Sequence, residues 1–304
     1  MSIKVSNISK LYGEQKALDN VSFEIKTGEI VGFLGPNGAG KTTMMKILTC
    51  FIPPTAGEAF VSGFNIYEEP LQIKRRIGYL PENNPLYLDM YVVEYLKFIA
   101  GVHKIGKKTE SIVKEIIEQT GLTKEQHKKI GALSKGYRQR VGLSQAMIHH
   151  PEVLILDEPT SGLDPNQVLE IRNLIKDIGK NKTIMLSTHI MREVEALCDR
   201  VIIINQGKII ADKTIKELQS SIKQKHYTVT VEFDKEILTN QMMQIASVKN
   251  VKAQGKNSWK IEVASDKDIR TDIFQLAVKN NAVVLSLNKE EHSLEEMFQI
   301  LTKN

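Results

Sequence analysis

The stretch Gly35-Pro36-Asn37-Gly38-Ala39-Gly40-Lys41-Thr42-Thr43 constrains this chain more than any other. It fits G-x-x-x-x-G-K-[ST], and its surroundings supply the context that pattern needs. Upstream, Ile30-Val31-Gly32-Phe33-Leu34 reads as a strand; downstream, about Gly40 to Leu48 reads as a helix. Glycines at such a turn let successive backbone N–H groups point inward, and the helix N-terminus adds about half a positive charge. A loop of this kind cradles phosphate. Lys41 then reaches the β- and γ-phosphates of a nucleoside triphosphate, and the Thr42 hydroxyl is placed to hold Mg²⁺. Residues Gly35 to Thr43 are therefore the expected nucleotide-binding segment.

Short β-branched runs alternate with longer helical stretches through the first two thirds of the chain, which points to an α/β fold with a parallel sheet. Val153-Leu154-Ile155-Leu156 is continuously apolar, as in a strand covered on both faces, and Thr183–Ser187 and Val201–Ile204 read as two more strands. The Val153 strand ends in Asp157-Glu158. Ligands bind at the carboxyl ends of parallel strands, so both carboxylates are expected to face the phosphate loop. Asp157 would support Mg²⁺ through its water shell. Glu158 is the natural general base for an attacking water. A helix-rich stretch, about 83–150, with apolar spacing at Val92, Val93, Leu96 and Ile99 reads as a helical lobe on this domain.

The pattern changes near Gln219. The polar run QSSIKQKH reads as a linker over 220–226, dividing a domain of residues 1–219 from a smaller one of 227–304. In the second part Tyr227–Phe233 alternates like a half-buried strand, and Lys235–Ala246 reads as helical. Lys249–Ala253 and Trp259–Val263 form a hairpin, a helix spans about Lys267 to Lys279, Val283–Leu287 is a strand, and a last helix starts at Ser293. That βαββαβ order is the ferredoxin-like split βαβ pattern, an α+β domain. A length of 304 residues fits two domains of about 150.

Composition narrows the partners. Hydrophobic residues at 41% and charged ones at 25% exclude disordered and collagen-like classes. The net charge of +5 is spread evenly, with 12 basic against 11 acidic residues after Gln219, so no nucleic-acid partner is expected. Cys50 and Cys198 form no CxxC, which favours a reducing compartment over a disulfide scaffold. The first residues lack the apolar core of a signal peptide, and no apolar run approaches the ~20 residues of a membrane span. A cytoplasmic chain is expected, with any membrane role exerted through a partner. No histidine sits in a trusted metal-ligand spacing; the one neighbouring pair is His149–His150.

Two further motifs flank the acidic strand: Leu133-Ser134-Lys135-Gly136-Tyr137-Arg138-Gln139-Arg140 before it and Ser161-Gly162-Leu163-Asp164 after it. This order resembles the ATP-binding subunits of ABC transporters, whose LSGGQ signature precedes the acidic strand and an SGLD turn. The resemblance spans residues 2 to 219 and implies an ABC-type P-loop ATPase that takes ATP and Mg²⁺. It further implies that Tyr12 stacks on adenine, that His189 is the switch histidine contacting the γ-phosphate, and that Ser134 and Gly136 bond the γ-phosphate. Asp164 matches the residue that couples two sites across a dimer. Three positions depart from the family pattern. Glu82 stands where the family has a glutamine that senses Mg²⁺; a carboxylate can still ligate the metal, so altered metal sensitivity is expected. Lys135 replaces a signature glycine and Tyr137 its glutamine, leaving a signature that is modified rather than lost.

In this family ATP sits between the phosphate loop of one domain and the signature of another. One copy of each per chain implies a head-to-tail homodimer, closed by ATP and reopened by hydrolysis. The resemblance also implies an integral membrane permease as partner and a peripheral position on the cytoplasmic face of the cell membrane. Asn83–Tyr95, with Leu86, Tyr87, Leu88, Met90 and Tyr91, either receives the permease's coupling helix or packs the helical lobe. Within the family the chain is most similar to single-domain ATPases of ABC-2-type exporters, which carry small C-terminal domains and tails like His292-Ser-Leu-Glu-Glu-Met-Phe298. The stretches LYGEQKALDNVSFEI, LPENNPLY and LILDEPTSGLDPNQ look like gliding-motility-associated ATP-binding subunits. A soluble ATP sensor or translation-associated ATPase without a permease is the alternative; tandem ATPase domains would favour it, and one phosphate loop occurs.

Overall fold

Two long antiparallel strands open the chain, β1 (Ile3–Tyr12) and β2 (Gln15–Ile25). They bury Ile3, Val5, Ile8, Leu18, Val21, Phe23 and Ile25. Next come β3 (Ile30–Leu34), α1 (Lys41–Leu48), β4 (Ala56–Val61), β5 (Phe64–Asn65), α2 (Pro70–Arg76) and β6 (Ile77–Leu80). A helical stretch follows, with α3 (Val92–Val102), α4 (Thr109–Gln119) and α5 (Lys135–Met147). The chain then returns through β7 (Val153–Asp157), α6 (Pro165–Gly179), β8 (Thr183–Thr188), α7 (Met191–Leu197), β9 (Arg200–Asn205) and β10 (Lys208–Thr214). This computed structural model describes residues 1–223, 227–265 and 267–291, with Leu294, Glu295, Phe298 and Thr302.

Six strands form one sheet in the order β10-β9-β3-β8-β7-β6, with β9, β3, β8, β7 and β6 paired in parallel. β7 and β8 are buried along their whole length, as their unbroken apolar runs require. A second sheet, β2-β1-β4-β5, shares one core with the first: Phe23 and Phe33 lie 5.6 Å apart, and Met44, Met45, Ile47 and Leu48 of α1 fill the space beside them. Nothing in the sequence pattern leads one to expect this antiparallel sheet. Left-handed Asn7 (φ 53°) and register shifts after Val5 break the period-two alternation of β1 that marks a strand. Close packing of α5 on β6 is fixed by Gly78, where a Cβ would lie 2.1 Å from the Ala146 carbonyl oxygen.

The chain divides into two units, Met1–Lys213 and Thr214–Asn304. The second holds α8 (Ile215–Lys223), β11 (Tyr227–Phe233), α9 (Thr239–Met243), β12 (Val248–Ala253), β13 (Ser258–Val263), α10 (Arg270–Lys279) and β14 (Val284–Glu291). Its sheet runs β12-β13-β11-β14 and is antiparallel at every junction, the split βαβ arrangement. Val229, Phe233, Trp259, Ile261 and Ile273 lie in its core.

Two sequence expectations change here. The polar stretch read as a linker over 220–226 is helical in α8 as far as Lys223; residues 224–226 lie outside the described residues. The cause is a capping box: Thr214 Oγ1 accepts from the Glu217 N–H at 3.2 Å, and Glu217 Oε2 accepts from the Thr214 N–H at 2.8 Å. The helix expected over Lys235–Ala246 shrinks to α9. Asp234 is tied to Val283 by two hydrogen bonds and Ile237 is buried in the core, which keeps the intervening chain in a bend outside any helix. In the last helix Leu294, Glu295, Phe298 and Thr302 are helical, and Ser293 lies outside the described residues. Among the described residues no helix is long and apolar enough to cross a membrane.

Candidate active site

Buried β3 stops at Leu34, and the loop that follows turns through Gly38 and Gly40 into α1. Gly40 has φ 106°, and a Cβ there would lie 2.5 Å from the Ala17 carbonyl oxygen. Lys41, the first residue of α1, is only 7% exposed. Its Nζ donates to the carbonyls of Gly35 (2.8 Å) and Pro36 (3.3 Å) and lies 3.3 Å from Glu158 Oε1. The Glu158 carboxylate in turn sits 3.0 and 3.1 Å from His189 Nδ1. Ammonium, carboxylate and imidazole thus stand in a row, the first two buried and the ring open to solvent.

The acidic pair is held by β8. Glu158 has a left-handed backbone (φ 48°), unfavourable for a residue with a side chain. Its N–H donates to the Ser187 hydroxyl (3.0 Å) and the Ser187 carbonyl (3.2 Å), which pins the turn. The same Ser187 hydroxyl donates to Asp157 Oδ1, while the other oxygen, Oδ2, is buried with no hydrogen-bond partner. A fully buried carboxylate oxygen left in that condition costs about 1–3 kcal/mol unless a donor or cation meets it. Burial raises the Tyr79 phenol well above its usual pKa, and the charges of Asp157 and Glu82 raise it further. This corner is electronegative and fits a hydrated divalent cation. Neither Ser187 nor its bridging role was signalled in the sequence beyond its place at the end of an apolar run.

Asn37, Gly38, Gly40, Lys41, Thr42 and Thr43 line one side of a cleft of about 350 Å³, and Glu82, Glu158, Ser161 and His189 line the rest. Gly35, Pro36 and Ala39 belong to the same loop but are not among the residues lining the cleft. Tyr12 sits at the β1–β2 turn, half exposed, with the Lys10 ammonium 5.3 Å from its ring centre, and is not among the lining residues.

The signature residues occupy a different place. Ser134 caps α5, its Oγ accepting from the Tyr137 N–H at 3.4 Å. Ser134 and Gly136 line a separate cleft of about 170 Å³ with Tyr137, Arg140, Gln167, Glu170 and Ile171, to which the phosphate loop contributes nothing. Asp164 caps α6, accepting from the N–H groups of Asn166 (3.1 Å) and Gln167 (3.0 Å). Lys135 reaches over Gly162 and lines, with Glu82, Asn84, Leu86, Leu88 and Arg138, a groove of about 670 Å³. Glu82 therefore borders both the nucleotide-sized cleft and this groove.

A phosphate loop, an acidic strand end and an exposed histidine around one cleft define a nucleotide-hydrolysing cassette, and comparison with known proteins agrees. Residues 18–161 match the ABC transporter family, and residues 214–301 match the C-terminal domain of DrrA1-3-like ATP-binding proteins. The bacitracin transport ATP-binding protein BcrA of Bacillus licheniformis is 36% identical over 299 residues, 97% of this chain and 95% of that protein. The linearmycin resistance ATP-binding protein LnrL of Bacillus subtilis is 33% identical and matches 99% of this chain and 98% of its own. The solved dimer of the ATP-binding cassette MJ0796, bound to ADP and Pi, superposes with a TM-score of 0.65 at 27% identity, over 70% of this chain and 98% of that one. The chain belongs to the ATP-binding subunits of ABC transporters, a family of ATPases. Within it, the matches place the chain in the DrrA/BcrA type, the ATP-binding subunits of ABC-2 exporters.

Proposed function

We propose that two copies of this chain close head to tail around ATP and drive a separate membrane permease. The observation that carries this reading is the separation of the two half-sites: Ser134 and Gly136 line one cleft and Lys41 another, and two chains facing head to tail would bring one of each to a single nucleotide. In the closed pair, the loop N–H groups and Lys41 bind the phosphates of one ATP, and the partner's signature covers its γ-phosphate. Tyr12 stacks on the adenine. Glu158 takes the proton of the attacking water, and His189, bonded to both its oxygens, holds the carboxylate and reaches the γ-phosphate. Thr42, Asp157 and Glu82 are the residues that would hold Mg²⁺, and the unpartnered Asp157 oxygen fits it. When bound, the ion neutralises phosphate charge. Asp164 couples the two sites.

The permease is expected at the groove beside Glu82, where Tyr87, Leu88, Tyr91 and Phe98 are each nearly half exposed or more. That partner puts the chain on the cytoplasmic face of the membrane. The two full-length relatives are named for bacitracin transport and linearmycin resistance, which favours export of an antibiotic-like cargo. A role in gliding motility is a second reading, carried by the stretches LYGEQKALDNVSFEI, LPENNPLY and LILDEPTSGLDPNQ. Affinity capture of tagged Glu158→Gln protein from mildly solubilised native membranes tests the proposal. The variant should bind ATP, turn over at least about 100-fold more slowly, and co-purify with a polytopic membrane protein. Wild-type turnover would remove Glu158 as the base, and recovery of soluble partners alone would favour the ATP-sensor alternative.

A further inference from the structure

We infer that Glu193, outside the cleft, is a positioning residue that keeps the loop of Glu158 and the strand end of His189 in one geometry. The inference rests on the roles proposed above for those two residues. Glu193 lies on α7, four residues after His189, and is 2% exposed. Its Oε1 accepts from the hydroxyl of Thr160, two residues past Glu158. Its Oε2 accepts from the hydroxyl of Thr188 at 2.7 Å. The Thr188 oxygen also accepts from the Ile190 N–H at 3.1 Å, so the residues on either side of His189 are tied to each other and to this carboxylate. A third element joins at Arg172 on α6, whose Nη2 lies 3.7 Å from Oε1.

Burying a carboxylate is costly, and well-packed apolar residues often serve stability equally well. One carboxylate that spends both oxygens on the two segments carrying the base and the histidine is accounted for by register, not by packing. Neither Thr160 nor Thr188 lines the cleft, whereas Ser161 and His189, their chain neighbours, do. Loss of the link therefore moves the reacting side chains while leaving the phosphate loop intact. Misplacement by about 1 Å can cost a hundredfold in rate, and a loss confined to the transition state lowers kcat without changing KM.

The test uses the full chain with Glu193→Gln, Thr188→Val and the double variant, beside wild type and Glu158→Gln. The valine removes the hydroxyl at nearly constant shape and leaves the Thr188 carbonyl, which accepts from the Gly35 N–H at 3.2 Å. Each single variant should lower kcat about tenfold or more, with KM for ATP and affinity for a fluorescent ADP analogue within about threefold of wild type. The double variant should lose no more than the worse single one, because both cut the same link. Should Glu193→Gln fail to fold, Thr188→Val and Thr160→Val sever the carboxylate from its two ends and decide the matter alone. A kcat within about twofold of wild type, a loss that appears equally in nucleotide affinity, or losses that multiply in the double variant would each overturn the inference. Glu158→Gln separates the two levels: if it abolishes turnover while the Glu193 variants do not, the base reading stands and the positioning role falls.

Discussion

At the scale of single residues, the site depends on backbone geometry as much as on charged side chains. Gly40 is the clearest case. Its φ of 106° is open to glycine and strained for any L-residue, and a Cβ would press on the Ala17 carbonyl at 2.5 Å. That oxygen belongs to the main chain of β2 and cannot rotate away, so relief must come from the phosphate loop. Gly40→Ala should lower stability by about 1–3 kcal/mol, read as a shift in the urea midpoint. It should also weaken binding of a fluorescent ATP analogue by at least tenfold, roughly 1.4 kcal/mol in affinity, because the N–H fan loses its shape. Binding within twofold of wild type would show that the loop yields without cost. Lys41, Glu158 and His189 could be picked out as candidates because each occupies a motif position, and the fold brings the three side chains into one row. Ser187 and Glu193 could not: each works by touching a residue more than four positions away or across elements, and a linear pattern carries no record of that.

At the scale of elements, long apolar runs and glycine turns were the legible part. β3, β7, β8 and β9 fall where unbroken apolar stretches stand, since a strand covered on both faces has no other composition available. The antiparallel sheet of β1, β2, β4 and β5 was not legible, because bulges and a left-handed Asn7 shift the alternation within β1. α8 was hidden by composition, although Thr214 and Glu217 carried a capping signal three residues apart. The histidines at the ends of α3 and α5 were equally silent. His103, just past α3, stacks on His149, just past α5, with ring centres 3.9 Å apart and planes within 4°. His149 Nε2 lies 3.0 Å from the Ile77 carbonyl and so carries the ring proton, tying this stack to β6. Burial first, and neighbouring His103 second, pull His149 down to about 4. The unfolded chain takes up this proton near pH 6.5 and the folded chain only near 4, so stability contributed by the neutral ring is full above pH 6.5. It falls as pH drops from 6.5 towards 4, by up to about 1.4 kcal/mol per unit. Urea midpoints from pH 7.5 to 4.5 should therefore decline less steeply in His149→Gln than in wild type. Parallel curves would mean that the ring titrates alike in both states.

At the scale of the whole molecule, the question is which unit makes the dimer. Every residue lining the nucleotide-sized cleft and every residue of the Ser134–Gly136 cleft lies within Met1–Lys213. The unit has its own core, from Ile3 to Ile204, and the second unit has another around Phe233 and Trp259. Domains with separate cores are in principle able to fold alone. If ATP is the glue between a phosphate loop and a partner's signature, the first unit holds both surfaces. A chain ending at Thr214 should then hydrolyse ATP with a kcat within about threefold of the full chain. Carrying Glu158→Gln, it should also double its mass by light scattering when ATP is added, as the full-length variant should. Doubling by the full-length variant alone would move the decisive contact to the second unit. Failure of both to double would remove the head-to-tail arrangement itself, leaving the separation of the two clefts to be explained within a single chain.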